Sequence, residues 1–178
     1  MIFRLLLIVL LAAVSTPEKS GVERYVWQDE RELVWEDYKG KPEANSLFAA
    51  VTSSGISHEF LISNGVLDKK QSQVYAYFYP TMSWYNPETA TPSVLRHERT
   101  HFDITELHAR MLRKRIAAFN FTKNSSEEVK HLYLQVEQAR TSMQNAFDKE
   151  TIHSLRKDAE AFWEAKINLL LTEYQDWK

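Results

Sequence analysis

The chain of 178 residues contains no cysteine. Without thiols it cannot form disulfide bonds, use a thiolate nucleophile, bind a metal through sulfur or carry a lipid on a cysteine at an export site. It also lacks an excess of positive charge, because 22 Lys and Arg residues stand against 24 Asp and Glu residues, for a formal net charge of −2. This balance argues against nucleic acid as a partner.

The N-terminus holds a short apolar segment. Leu5 to Val14 are apolar, follow the single basic residue Arg4 and precede small residues near Ser15. This order predicts a secretory signal peptide over residues 1–15. The apolar run is about half as long as a bilayer-spanning helix requires, so a permanent anchor is the weaker alternative. We expect a secreted or periplasmic protein of a bacterial cell envelope, with no stable membrane anchor after cleavage.

The first half of the remaining chain has the pattern of strands. Residues 16–30 are predicted to be a polar lead-in, and residues 31–178 a single domain. In residues 49–60 and 65–79, β-branched and aromatic residues predominate, and QVYAYFYP alternates with a period of two, which predicts half-buried strands. Tyr75 to Tyr79 form a candidate edge strand beside which an extended peptide could pair. Packing of these tyrosines in the core or on the surface is the alternative.

Beyond Pro87 the period becomes helical. Thr91 can cap a first helix that runs from Pro92 to about Phe119, and a capping box of Ser125 and Glu128 can begin a second helix that ends near Phe147. The segment FDKETIHS is predicted to connect it to a last helix. The apolar residues that this helix would turn toward the core are Leu155, Ala159, Phe162, Ile167, Leu170, Leu171 and Tyr174. The sequence thus predicts an α+β fold, a small N-terminal sheet followed by three helices.

The first helix carries the motif HERTH, an instance of His-Glu-x-x-His. Two histidines four positions apart lie on one helical face, so His97 and His101 can bind the same metal ion. Glu98, turned by about 100°, is placed to act on a water molecule as general base and not as a ligand. Zn²⁺ would lower the pKa of that water and polarise a scissile carbonyl group. Apolar residues share the stripe of the two histidines, which favours an inward-facing site.

A catalytic zinc ion usually has three protein ligands, so a residue distant in sequence must complete the site. His153 is the first candidate, and Glu160 and Glu164 are the alternatives. His108 shares the helical face but lies about 10 Å farther along the axis, too far for the same ion.

The remaining histidines and acidic residues have simpler interpretations. His58 and His131 are predicted to be surface or structural residues. Asp103 and Glu106 point away from the ligand face, and an arginine stands at helical spacing from each of them, Arg99 before Asp103 and Arg110 after Glu106. Surface ion pairs are therefore expected there.

Four separated segments form a recurring set of motifs: Leu33 through Pro42, Ser83-Trp84, His97 through Ile104 and Phe147 through His153. Together they resemble a bacterial family of unknown function described as predicted secreted zinc-dependent proteases. The resemblance implies a zincin-like fold with HERTH on the first long helix, with His97 and His101 as zinc ligands and Glu98 as the base. The recurring histidine of the last motif falls on His153. The glycine that usually follows it is Ser154 here, which matters if that glycine adopts a positive φ.

These observations together predict a secreted zinc metallopeptidase that hydrolyses a peptide or protein substrate. The first alternative is a non-catalytic envelope protein with a structural zinc site, which a closed shell of four ligands would support. The second is a metal-dependent hydrolase of another substrate, such as a cell-wall crosslink or an ester.

Overall fold

A computed structural model describes residues 21–178 of the chain. The signal peptide predicted over residues 1–15 lies outside this range. Among the residues described, no helix combines the length and the apolar character needed to span a bilayer.

Short antiparallel strands make up the first half of the described chain. The largest sheet has three strands in the order β1-β6-β3, and β3 pairs with β6 over six residues, from Ser54 opposite Phe78 to Glu59 opposite Gln73. Two further pairs join β2 to β7 and β4 to β5. The strands are β1 (Tyr25–Val26), β2 (Ala50–Val51), β3 (Ser54–Glu59), β4 (Ile62–Ser63), β5 (Val66–Leu67), β6 (Gln73–Phe78) and β7 (Trp84–Tyr85).

Most of the stretch expected to offer an edge to a peptide, Tyr75 to Tyr79, lies instead in the centre of its sheet, because Tyr75 to Phe78 belong to β6. β1 pairs with it on one side and β3 on the other. Beyond β1, the Trp27 amide donates to the Ala76 carbonyl, and the Arg113 guanidinium donates to the carbonyl of Val74. The edge prediction is wrong because the stretch predicted as a polar lead-in supplies β1, which covers β6.

Three helices follow the strands: α1 (Pro92–Ala118), α2 (Ser125–Thr151) and α3 (Lys157–Glu173). α1 begins as predicted, with the Thr91 hydroxyl accepting a hydrogen bond from the Val94 amide. α2 begins at Ser125, but the predicted capping box does not form. The Ser125 hydroxyl accepts from the Leu67 amide, and the Glu128 carboxylate accepts from Thr122. Both side chains therefore accept hydrogen bonds from residues that precede the helix, and neither caps its first turn.

α2 also extends one turn beyond its predicted end near Phe147. Phe147 is fully buried in a core cluster with residues of α1 and α3, and the Thr151 hydroxyl donates to its carbonyl. The backbone leaves the helix only at Ile152, in the left-handed region. Five of the eight residues of the segment predicted as a connector are thus helical, because packing of Phe147 continues the helix. As a result Asp148 stands on a rigid element.

α1 is the central element of the fold. One cluster of buried residues joins it to the sheet through Ile56, Ala76, Phe78, Phe102 and Leu112. A second joins it to α2 and α3 through Ile104, Leu107, Phe147, Trp163, Ile167 and Leu171.

The predicted apolar face of α3 is only partly correct. Ile167 and Leu171 are buried, and Leu170 and Tyr174 pack against the cluster, but Leu155 and Phe162 are exposed. Leu155 precedes the helix, and Trp163 takes the core position beside Phe162.

The acidic residues expected in surface ion pairs are in fact covered. Glu106 is buried between Arg110 and Arg113, each with a nitrogen 2.9 Å from its Oε1. Asp103 accepts a hydrogen bond from Trp27 Nε1 at 2.7 Å, and burial raises the pKa of Asp103 to about 6 although that bond lowers it. Arg99 contacts Glu32 and the Leu33 carbonyl instead of Asp103. The predicted pair of Glu106 with Arg110 is thus confirmed, but it is buried, and the predicted pair of Asp103 with Arg99 does not form. Both differences arise because Trp27 and the C-terminal residues cover this face of α1.

Candidate metal centre

The two histidines of HERTH face each other across one turn of α1. The Nε2 atoms of His97 and His101 are 3.2 Å apart, and the two rings are nearly perpendicular. Phe147 of α2 stacks on the His97 ring at 4.4 Å between centroids and meets the His101 ring edge-on at 5.1 Å. The core cluster that continues α2 therefore also fixes the orientation of both imidazoles.

Asp148, the residue after Phe147, completes a triangle with the two histidines. Its Oδ1 lies 3.1 Å from His97 Nε2 and 2.9 Å from His101 Nε2. Asp148 was not among the predicted ligands, because its segment was interpreted as a connector. The available signal was the aromatic-Asp pair that opens the recurring motif containing His153.

The far ring nitrogens of both histidines have partners that fix their protons. His97 Nδ1 is 2.8 Å from Glu160 Oε1, and since a carboxylate only accepts, Nδ1 is the donor. His101 Nδ1 faces the Gln144 side-chain oxygen, while the Gln144 amide nitrogen donates to the His101 carbonyl and to Thr105. In the neutral imidazoles, both Nε2 atoms consequently carry lone pairs. Two lone-pair nitrogens and a carboxylate oxygen then converge with no proton between them. Because these electron-rich atoms repel one another, the arrangement is favourable only with a cation among them.

The acid–base properties of the triangle agree with this need. Burial lowers the pKa of His97, but the hydrogen bonds to Asp148 and Glu160 outweigh it and raise the pKa to about 9. Burial likewise disfavours the Asp148 carboxylate, yet the contacts with His101 and His97 hold the pKa of Asp148 well below its usual range. Without a metal, protons take the place of the cation, so binding of a metal should release protons.

The donor set fits a transition metal. In a tetrahedral site with Zn–N distances of about 2.0–2.1 Å, neighbouring donor atoms are about 3.3 Å apart, and the triangle is within a few tenths of an ångström of this value. His97, Asp148 and His153 also form a group whose candidate ligand atoms lie within 4.8 Å of one another. His153 Nδ1 is 3.5 Å from Asp148 Oδ1. These residues can therefore hold a metal ion.

The other predicted candidates occupy different positions. Glu160 reaches the site but contacts the far nitrogen of His97, so it orients a ligand, and Glu164 lies 3.6 Å from Arg96. His108 donates from Nδ1 to the Ile104 carbonyl, and burial lowers its pKa. His58 stacks on Phe60, and His131 is exposed. None of these three histidines belongs to the triangle.

The turn that carries His153 is left-handed over three residues. Ile152, His153 and Ser154 have φ values of 51°, 50° and 71°, although none of them is glycine. Ser154 thus adopts the positive φ that a glycine in this place would permit. For residues with a side chain this conformation costs roughly 1–2 kcal/mol each.

Replacement of Glu160 by Gln tests its orienting role. The amide keeps the shape of the side chain but weakens the hold on the His97 Nδ1 proton, so we expect a loss of about 10–100-fold in zinc affinity, measured by chelator competition. Glu164→Gln, one turn farther along α3, is the matched control and should leave the affinity unchanged. Complete loss of zinc in Glu160→Gln would instead identify Glu160 as a ligand.

Comparison with known proteins gives one match, to a family model that covers the segment of the centre. Residues 67–154 match a family described as bacterial protein of unknown function (DUF922). The matched segment includes α1, α2, HERTH, Asp148 and His153. No curated protein and no solved structure matches the chain. The match confirms the family resemblance seen in the sequence, while the description of the family names no activity. Over residues 67–154, the chain is therefore similar to the bacterial family DUF922.

Proposed function

We propose that this protein is a secreted or periplasmic zinc-dependent metallopeptidase with a zincin-like fold. The observation that carries the proposal is the convergence of His97 Nε2, His101 Nε2 and Asp148 Oδ1. Glu160 and Gln144 hold the Nδ1 atoms, so in the neutral imidazoles the lone pairs lie on Nε2. Such a pattern of oriented imidazoles around a carboxylate is typical of metal ligands with their outer partners.

Glu98 supplies the second element of the proposal. Its side chain is buried, and Oε2 has no hydrogen-bond partner among the residues described. Its charge acts on a neighbouring group: burial raises the pKa of Tyr38, and the negative charge of Glu98 raises it further. A buried carboxylate oxygen without a partner costs stability, roughly 1–3 kcal/mol or more. Its retention beside His97 supports a chemical role, and the role that suits it is that of a general base.

The proposed reaction assigns a task to each of these residues. His97, His101 and Asp148 would hold Zn²⁺, which when bound supplies Lewis-acid chemistry and lowers the pKa of water toward neutrality. Glu98 accepts a proton from the attacking water while the oxygen of that water bonds to the carbonyl carbon. The protonated Glu98 then gives this proton to the leaving nitrogen as the C–N bond breaks. Glu160 and Gln144 keep the two imidazoles aligned throughout.

A structural zinc site is the second candidate function, and one observation favours it. With His153 within reach, four protein donors are available, and a closed shell of four ligands is the mark of a structural site. The protein would then be a non-catalytic envelope protein stabilised by its metal.

One experiment tests both candidates on the exported chain. We expect about one zinc per chain by elemental analysis and cleavage of fluorescein-labelled casein, which 1,10-phenanthroline abolishes and added zinc restores. Zinc without cleavage of casein or of a mixed peptide library would favour the structural site. A folded protein that contains no zinc and takes none up on titration would contradict both.

A further inference from the structure

His153 differs from the other donors in how its side chain is held. His97 and His101 each use their second ring nitrogen on a partner residue, Glu160 or Gln144. For His153, no side-chain hydrogen bond is present among residues 21–178, and its contact with Asp148 is at 3.5 Å. Histidines that hold a metal almost always donate their other N–H to a fixed group. His153 lacks that support.

Its exposure and position set it apart as well. The side chain of His153 is 53% exposed, against 4% for His97, 15% for His101 and 28% for Asp148. The rings of His153 and His97 are 6.5 Å apart, whereas those of His97 and His101 are 4.8 Å apart. His153 is therefore more exposed to solvent than the three residues of the triangle, and its ring lies farther from His97 than the ring of His101 does.

The backbone holds His153 in this position at a cost. It is the middle residue of the three in left-handed conformation, and the β-branched Ile152 is among them. The turn is kept closed by hydrogen bonds from the His153 amide to the Asp148 carbonyl and from the Arg156 amide to the Thr151 carbonyl. The imidazole then meets the half-exposed ring of Phe48 edge-on at 5.1 Å. Strain of this kind persists where the surrounding structure imposes a functional geometry.

We propose that His153 is a catalytic residue that contacts the substrate, and not a ligand that holds the metal. The proposal rests on the hydrolase function proposed above. As water attacks the carbonyl carbon, the electron pair of the C=O bond moves onto the oxygen, and an imidazole N–H of His153 donates a hydrogen bond to this oxyanion. When the carbonyl re-forms, the C–N bond breaks and Glu98 delivers its proton to the amine. His153 loses no proton in the cycle, and His97, His101 and Asp148 form the complete ligand set, which leaves one position open.

The test compares His153→Ala and His153→Asn with the wild-type full chain. Asn keeps an N–H donor and tolerates a positive φ, so it guards against misfolding and tests for partial rescue. We expect the zinc dissociation constant, from chelator competition, to stay within several-fold of wild type, and the visible spectrum of the Co²⁺-loaded protein to be unchanged. With casein peptides as substrate, kcat should fall about 10²–10³-fold in His153→Ala at similar KM, and His153→Asn should recover part of the loss.

Acetohydroxamate binding to the Co²⁺-loaded protein gives a readout that does not depend on turnover. The wild type should bind this small oxyanion-bearing chelator, and His153→Ala should bind it about tenfold more weakly. A loss of zinc affinity of 100-fold or more in both variants, or a changed Co²⁺ spectrum, would show that His153 is a ligand and overturn the proposal. An unchanged kcat would overturn it too.

The outcomes separate this proposal from the function on which it rests. If the wild type cleaves no peptide, the proposed peptidase function is refuted. Zinc affinity, the Co²⁺ spectrum and hydroxamate binding still decide whether His153 is a metal ligand. Retained zinc with weakened hydroxamate binding would then support His153 at the open position. Absence of hydroxamate binding by the wild type would indicate a closed shell and contradict it.

Discussion

A Glu98→Gln variant is expected to keep about one zinc per chain and to lose peptide hydrolysis by about 10²–10⁴-fold. The amide has the same shape as the carboxylate but cannot take a proton from water. Glu98 is not part of the ligand triangle, so the metal content should not change. The measurement is kcat/KM on labelled casein together with elemental analysis of the same preparation.

The stability of this variant gives an independent check. Because Glu98 Oε2 is buried without a partner among the described residues, replacing the charged group by a neutral one should leave the unfolding temperature equal or higher. Glu127→Gln, at the exposed start of α2, is the control and should change neither activity nor stability. Full activity in Glu98→Gln would refute the role of general base, and loss of zinc would make Glu98 a ligand.

Replacement of Asp148 by Ala should remove the metal. Asp148 Oδ1 is the one donor of the triangle that does not come from α1, so its loss leaves two ligands on a single helix. We expect zinc affinity to fall by more than about 100-fold, beyond the range of an outer-shell change. At free zinc a thousandfold above the wild-type dissociation constant, the wild type should gain about 4 kcal/mol of unfolding free energy, and the variant should gain less than about 1.4 kcal/mol.

The metal-free protein should lose stability as the pH rises. The pKa of His97, about 9, lies above its usual value of about 6.5, so its contribution to stability is complete below about pH 6.5 and is lost as the pH rises through 9. Asp148→Ala removes one of the two bonds that raise this pKa, so the loss should begin at lower pH. Thermal unfolding in EDTA between pH 6 and 10 measures it, with the exposed Asp158→Ala as control. Tight zinc binding by Asp148→Ala would contradict the ligand assignment.

The sequence by itself determined what depends on neighbours along the chain. The start of α1 at Pro92, its end near Phe119 and the shared face of His97 and His101 all follow from capping and helical spacing, which act within a few residues. The alternation in QVYAYFYP likewise predicted a strand, in which Val74, Ala76 and Phe78 are buried, although Tyr77 on the other face is buried as well. The recurring motifs predicted the family resemblance and identified His153 as a candidate residue of the site.

Only the tertiary structure decided which distant groups meet. Asp148 and Glu160 reach His97 across 51 and 63 residues, and their positions follow from the packing of Phe147, which continues α2 by a turn. The central place of β6 likewise depends on its pairing with β1, and the burial of Glu106 depends on Trp27 and the C-terminal residues that cover it. A periodic pattern reports which face of an element is apolar, whereas the partner of that face is set by packing over the whole chain, and packing assembled the candidate metal centre.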